Sequence, residues 1–192
     1  MDLHKDLEII TRWFKALEPI GEDKTGGVTR LGYTKTEDVM HGAIRNIARN
    51  LGFKSSSDEV GNTYIYEENY DKYYIIGSHL DSVINGGRYD GVAGVLSGLL
   101  IMKWIKEEGL NTPVKTAAFR CEESSSFGIA TVGSSLITNT LDVEKMKQVK
   151  NQEGKTLYEI LKSRGHNPYC KKIDGVLGYF ELHIEQGRVL EV

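Results

Sequence analysis

The segment from Tyr73 to Cys121 limits the fold more than any other part of the chain. At its centre, residues 91–108 place Val92, Val95, Leu96, Leu99, Leu100 and Trp104 around most of a helix circumference. Such a helix has to be covered on nearly every side. The flanking runs, residues 73–79 and 114–121, are short and apolar and read as strands, the second as a central one. Strand, buried helix, strand is a βαβ unit, which favours parallel pairing with helices on the sheet faces. The expected class is therefore α/β, with a mixed, largely parallel sheet and helices on both faces.

The remaining chain supplies the covering elements. Leu3, Leu7, Ile10, Phe14 and Leu17 recur at helical spacing, which predicts an amphipathic helix over residues 2–17, capped by Asp2 and ended by Pro19. Residues 21–33 are rich in glycine and polar side chains and read as a loop. A second helix follows, with Thr34 and Glu37 spaced as a capping box, Met40, Ala43, Ile44, Ile47 and Leu51 on its apolar face, and Gly52 as its stop. Residues 60–67 and 73–79 read as two strands joined at Asn69-Tyr70-Asp71, with their tyrosines on a half-buried hairpin face. Residues 142–150 and 156–164 read as short helices, and Tyr179 to His183 as a last strand.

The net charge of −3 and pI near 6.0 leave no basic footprint for nucleic acid. The charged N-terminus lacks the apolar core of a signal peptide, and residues 92–105 are too short and interrupted to span a bilayer. Cys121 and Cys170 match no metal or redox pattern, and two isolated cysteines suit a cytoplasmic protein with reduced thiols.

Three expected strands end in groups that ligate metals: His79, the pair Glu122-Glu123, and His183. In an open α/β sheet ligands bind outside the carboxyl ends of the strands, so parallel strands would gather these side chains across more than a hundred residues of sequence. Two imidazoles with several carboxylates suit zinc, with manganese, cobalt or nickel as alternatives. Asp90, just before the buried helix, has two oxygens and can bridge two ions. Asp81 is placed to accept the second N–H of His79. Neighbours at a strand end point opposite ways, so one of Glu122 and Glu123 can bind metal while the other serves as general base. The plainer alternatives are an Asn-Gly hairpin at Asn85-Gly86 with Asp90 as a helix cap, and two exposed acids in a loop. His4, His41 and His166 have no ligand-type neighbours in sequence and read as surface, packing or loop residues.

GSHLDSVINGGRYDGVAG (residues 77–94), FRCEESSSFG (119–128) followed by GSSL, and ELHIEQGRVLE (181–191) resemble the signature blocks of the N-carbamoyl-L-amino acid hydrolase and allantoate amidohydrolase group. This group belongs to the dinuclear metallo-aminopeptidase/carboxypeptidase-like superfamily. GGVTRLGYT, residues 26–34, is similar to the group's N-terminal loop, so the resemblance runs along essentially the whole chain. It implies a phosphorylase/hydrolase-like fold and two divalent ions. His79 would ligate one ion, Asp90 would bridge, Glu123 would ligate one ion and His183 the other. Glu122 would be the catalytic base, Asp81 would orient His79, and Gln186 would contact substrate.

The implied reaction is hydrolysis of a linear C–N bond next to a carboxylate, by water held at the two ions. An N-carbamoyl-L-amino acid is the first substrate choice, with allantoate, ureidoglycolate or a dipeptide as alternatives. Two positions depart from the group's pattern: Cys121 stands where aspartate is frequent, and Ser124-Ser125-Ser126-Phe127 replaces GSRF. The larger departure is length. Group members continue into a lid that dimerises and contacts substrate, then return to complete the sheet and add another histidine ligand. Residues 1–192 are accordingly expected to be the N-terminal portion of a catalytic domain, with weak metal occupancy and little turnover by themselves. A fragment that only binds is the rival expectation.

Overall fold

The βαβ unit is the frame on which everything else hangs. In the computed structural model, which describes residues 2–185, 189 and 190, β3 (Tyr73–His79) runs into α3 (Val92–Glu107) and returns through β4 (Val114–Phe119), parallel to β3. The backbone of α3 lies close on these strands. A Cβ added at Gly98 would stand 2.8 Å from the Ile76 carbonyl oxygen and from Thr116 Oγ1.

The sheet is completed by β1 (Lys54–Ser57), β2 (Thr63–Tyr66) and β5 (Val176–Phe180), in the order β1-β2-β4-β3-β5. Strands β4, β3 and β5 run parallel, while β1-β2 and β2-β4 are antiparallel. One face packs on α1 (Leu3–Leu17), α2 (Lys35–Asn50) and α3, around Met40, Ile44, Ile65, Leu96 and Leu99. On the other side α4 (Val132–Ile137), α5 (Val143–Gln148) and α6 (Leu157–Ser163) form a second cluster that reaches the sheet at Tyr64 and Phe119. Among the described residues no helix is long and apolar enough to cross a membrane.

Several expectations are corrected. The hairpin of residues 60–67 with 73–79 does not form, because β4 lies between β2 and β3; β2 instead pairs with β1, whose exposed Lys54-Ser55-Ser56-Ser57 carries no apolar alternation. The Thr34/Glu37 capping box is absent: Thr34 Oγ1 donates to the Leu31 carbonyl and Glu37 turns inward. A capping box is instead found at the start of α6, between Thr156 and Glu159. Leu3 and Leu7 are exposed, and Asp6 is the buried residue on that part of α1. The last strand ends at Phe180, which leaves His183 in an irregular segment beyond it. Helix α4, rich in serine and glycine, carries no helical signal of its own and is held by tertiary contacts.

Candidate metal centre

The carboxyl ends of β3, β4 and β5 lie side by side, and the cluster forms there. His79 closes β3 and is completely buried. Its ring packs against the entrance of α3, where Gly91 adopts φ +64° and a Cβ would stand 2.7 Å from the imidazole. Glycine meets both demands, the left-handed backbone and the close approach. This same residue, and not Asp90, occupies the N-cap of α3.

Distances define a compact group. His79 Nε2 lies 3.3 Å from His183 Nε2, 3.7 Å from Asp90 Oδ1 and 3.7 Å from Glu122 Oε2. His183 Nε2 lies 3.7 Å from the same Asp90 oxygen. Ligand-type atoms of His79, Asp90 and His183 fall within 4.8 Å of one another, as do those of His79, Glu122 and Glu123. His79 thus belongs to two adjoining triads.

The tautomers follow from the partners on the far side of each ring. His79 Nδ1 faces the Asp81 carbonyl oxygen at 3.1 Å and Asp81 Oδ1 at 3.3 Å, both acceptors only. His183 Nδ1 faces the Ile184 carbonyl oxygen at 2.9 Å. Each Nδ1 therefore carries a proton, and in its neutral form each ring turns the Nε2 lone pair inward. Two lone pairs and three carboxylates gathered around His79 repel one another unless a proton or a cation lies between them. This donor set fits divalent metal. Without metal, burial opposes the charge on His79, but Asp81, Glu122 and Asp90 outweigh it and raise its pKa to about 9. Burial, with the Asp90 charge adding to it, lifts Glu123 to about 7, and burial also raises Glu122.

The glutamates are presented by an elbow, not by strand alternation. Strand β4 ends at Phe119, and Cys121 turns the backbone at φ +51°. Asp81 then accepts the N–H of Glu122 on Oδ1 and that of Glu123 on Oδ2, each at 3.0 Å. From the other side the N–H groups of Thr131, Val132 and Gly133 donate to the carbonyls of Glu122, Cys121 and Arg120 at 2.6, 2.9 and 2.8 Å. Both carboxylates consequently face His79.

No protein-family model matches the chain. It is 36% identical over 191 residues to the N-carbamoyl-L-amino acid amidohydrolase of Geobacillus stearothermophilus, covering 93% of this chain and 46% of that protein. With the allantoate amidohydrolase of Bacillus subtilis it shares 34% identity over 195 residues, 95% of this chain and 46% of the relative. A crystal structure of a hydantoinase/carbamoylase family amidase from Burkholderia ambifaria superimposes with a TM-score of 0.80 at 32% identity, over 95% of this chain and 46% of that one. The chain is a relative of the N-carbamoyl-L-amino acid and allantoate amidohydrolases. It spans just under half the length of these curated relatives.

Within this amidohydrolase relationship, the structure brings together His79, Asp81, Asp90, Glu122, Glu123 and His183, the residues singled out from sequence. Gln186 lies outside the described residues. His41 is buried, with Nδ1 2.8 Å from Thr63 Oγ1, and His166 packs edge-on against Tyr33. Cys121 is fully buried beside Gly32, and burial pushes its thiol well above the ordinary range. Glu37 and Arg120 are both buried behind the elbow. The sequence placed Glu37 only in a helix cap and carried Arg120 inside the FRCEESSSFG block with no role of its own.

Proposed function

We propose that this chain carries the metal-binding half of an amidohydrolase centre for linear C–N bonds next to a carboxylate, with N-carbamoyl-L-amino acids as the first substrate class. The observation that supports this most is the meeting of two inward-facing imidazole lone pairs with Asp90, Glu122 and Glu123. His79, Asp90, Glu123 and His183 would hold two divalent ions, zinc in the first instance. When bound, such ions lower the pKa of water to about 7 and polarise a carbonyl.

The chain's own side chains supply the rest. Glu122 is half-buried with its pKa raised by that burial, which suits a group that must take a proton and give it back. It accepts a proton from the attacking water on a carboxylate oxygen and passes it to the leaving nitrogen. Asp81 keeps His79 in the tautomer that offers Nε2. Allantoate and ureidoglycolate present the same bond beside a carboxylate and are the alternative substrates.

A second reading is that residues 1–192 bind metal by themselves and turn over only together with a remainder of the kind these relatives possess. In that remainder we place the lid, the homodimer contacts and the carboxylate-recognising groups. Metal content after dialysis and ammonia release from the three substrates test both readings. Turnover by the parent chain, a loss of roughly 10²-fold or more in Glu122→Gln with metal retained, and loss of metal in Glu123→Gln are the expected outcomes of the first. Bound metal without ammonia release selects the second. A parent chain that binds no metal removes both.

A further inference from the structure

Behind the elbow lies a carboxylate that the reaction does not use. Glu37 is completely buried in the first turn of α2, where it leaves its own helix end uncapped. Its Oε2 accepts the N–H of Tyr33 at 2.7 Å and its Oε1 that of Cys121 at 2.8 Å. Arg120 Nη1 pairs with Oε2 at 2.7 Å, while Arg120 Nε donates to the Gly61 carbonyl at 2.9 Å. The N–H of Arg120 donates to Asn62 Oδ1 at 2.8 Å.

The arrangement is continuous with the one at Asp81. Three successive amides, those of Cys121, Glu122 and Glu123, end on two buried carboxylates, Glu37 on one side and Asp81 on the other. Cys121 lies between them in the left-handed region, unfavourable for a residue with a Cβ. A Cβ on Gly32 would stand 2.4 Å from Cys121 Cβ, so the loop before α2 closes directly on the turn. Only a carboxylate accepts two N–H groups and a guanidinium at once; glutamine would turn an NH₂ donor toward one of them.

We infer that Glu37, held by Arg120, is a positioning residue that locks the Glu122-Glu123 elbow and so controls metal affinity without touching a ligand atom. The inference rests on the reading of the cluster as a metal centre. Its test is a titration of the chain with Co²⁺ alone, followed by visible absorption, in the parent, Glu37→Gln and Leu99→Ala. Leu99 is buried on α3 in the other core cluster, so Leu99→Ala reports what loss of stability alone does.

The parent is expected to bind Co²⁺ with a defined ligand-field spectrum. Glu37→Gln should bind about 10- to 100-fold more weakly with an altered spectrum, the scale found for partners that orient ligands. Leu99→Ala should lower Tm yet keep the parent's affinity and spectrum. Parent-like affinity and spectrum in Glu37→Gln overturn the inference, as does an equal loss in Leu99→Ala. A parent that binds no Co²⁺ overturns the metal centre itself. Should Glu37→Gln not fold, hydrogen exchange in the parent decides. Co²⁺ is expected to protect the amides of Tyr33 and Cys121 beyond any gain at α3 core amides, and protection confined to Glu122 and Glu123 overturns the inference.

Discussion

Asp81 Oδ1 and Oδ2 each receive one amide of the glutamate pair, while Oδ1 also lies 3.3 Å from His79 Nδ1. One side chain thereby sets the tautomer of a histidine and the direction of two carboxylates. Asparagine at this position would keep the volume but present an N–H donor to an N–H donor. Asp81→Asn is expected to retain a folded circular-dichroism spectrum and to lose about 10- to 100-fold in Zn²⁺ affinity by calorimetry. Unchanged affinity would remove Asp81 from the centre. Its place beside His79 was legible because two residues beyond a strand-end histidine is a short reach, and the grouping of His79, Asp90 and the glutamate pair was legible for similar local reasons. Glu37 was taken for half of a helix cap, because of its partners only Tyr33 is near in sequence, Arg120 and Cys121 lying 83 and 84 residues away.

At the scale of elements, helical periodicity located α1, α2 and α3, but it misjudged which side of α1 is covered. Asp6 faces inward because Lys103 on α3 approaches it at 2.9 Å and Trp104 Nε1 donates to it at 2.8 Å; Leu3 and Leu7 are left outside. A polar pair between two helices overrides the apolar stripe, and periodicity does not see it. The hydrogen bond from Lys103, with that from Trp104, holds the Asp6 carboxyl below its ordinary pKa against the opposing effect of burial. A depressed pKa gives stability that is present above the unfolded value, near 3.8, and is lost as pH falls through the folded one. Urea unfolding of the parent and Asp6→Asn should show the parent more stable at pH 7, with the difference shrinking below the ordinary carboxylate range. A difference that stays constant with pH would show that the α1–α3 contact does not depend on the ionised carboxylate.

For the whole molecule, parallel pairing in the βαβ unit and the strand-end rule pointed to the end of the sheet where the cluster lies, although His183 sits past the end of β5 and the glutamates past the end of β4. The strand order, by contrast, did not follow from sequence. Inserting β4 between β2 and β3 is a non-local pairing with no turn residue to announce it. The same order leaves β5 at a sheet edge, paired among the described residues only with β3. Leu177, Tyr179, Phe180 and Leu182 on and just after this strand are all exposed, in contrast to the buried core of β3. An apolar, unblocked edge offers free N–H and C=O groups to another strand, and lysine on such an edge suppresses that pairing. The chain is therefore expected to associate through β5: sedimentation should give a weight-average mass that rises with concentration, and Leu177→Lys should flatten the rise. Leu177 stands at the start of the strand, opposite the end that leads to His183, so metal affinity should be unchanged in the same variant. A parent that stays monomeric across the concentration range would show the β5 edge to be shielded, and a Leu177→Lys variant that still associates would move the contact away from this edge.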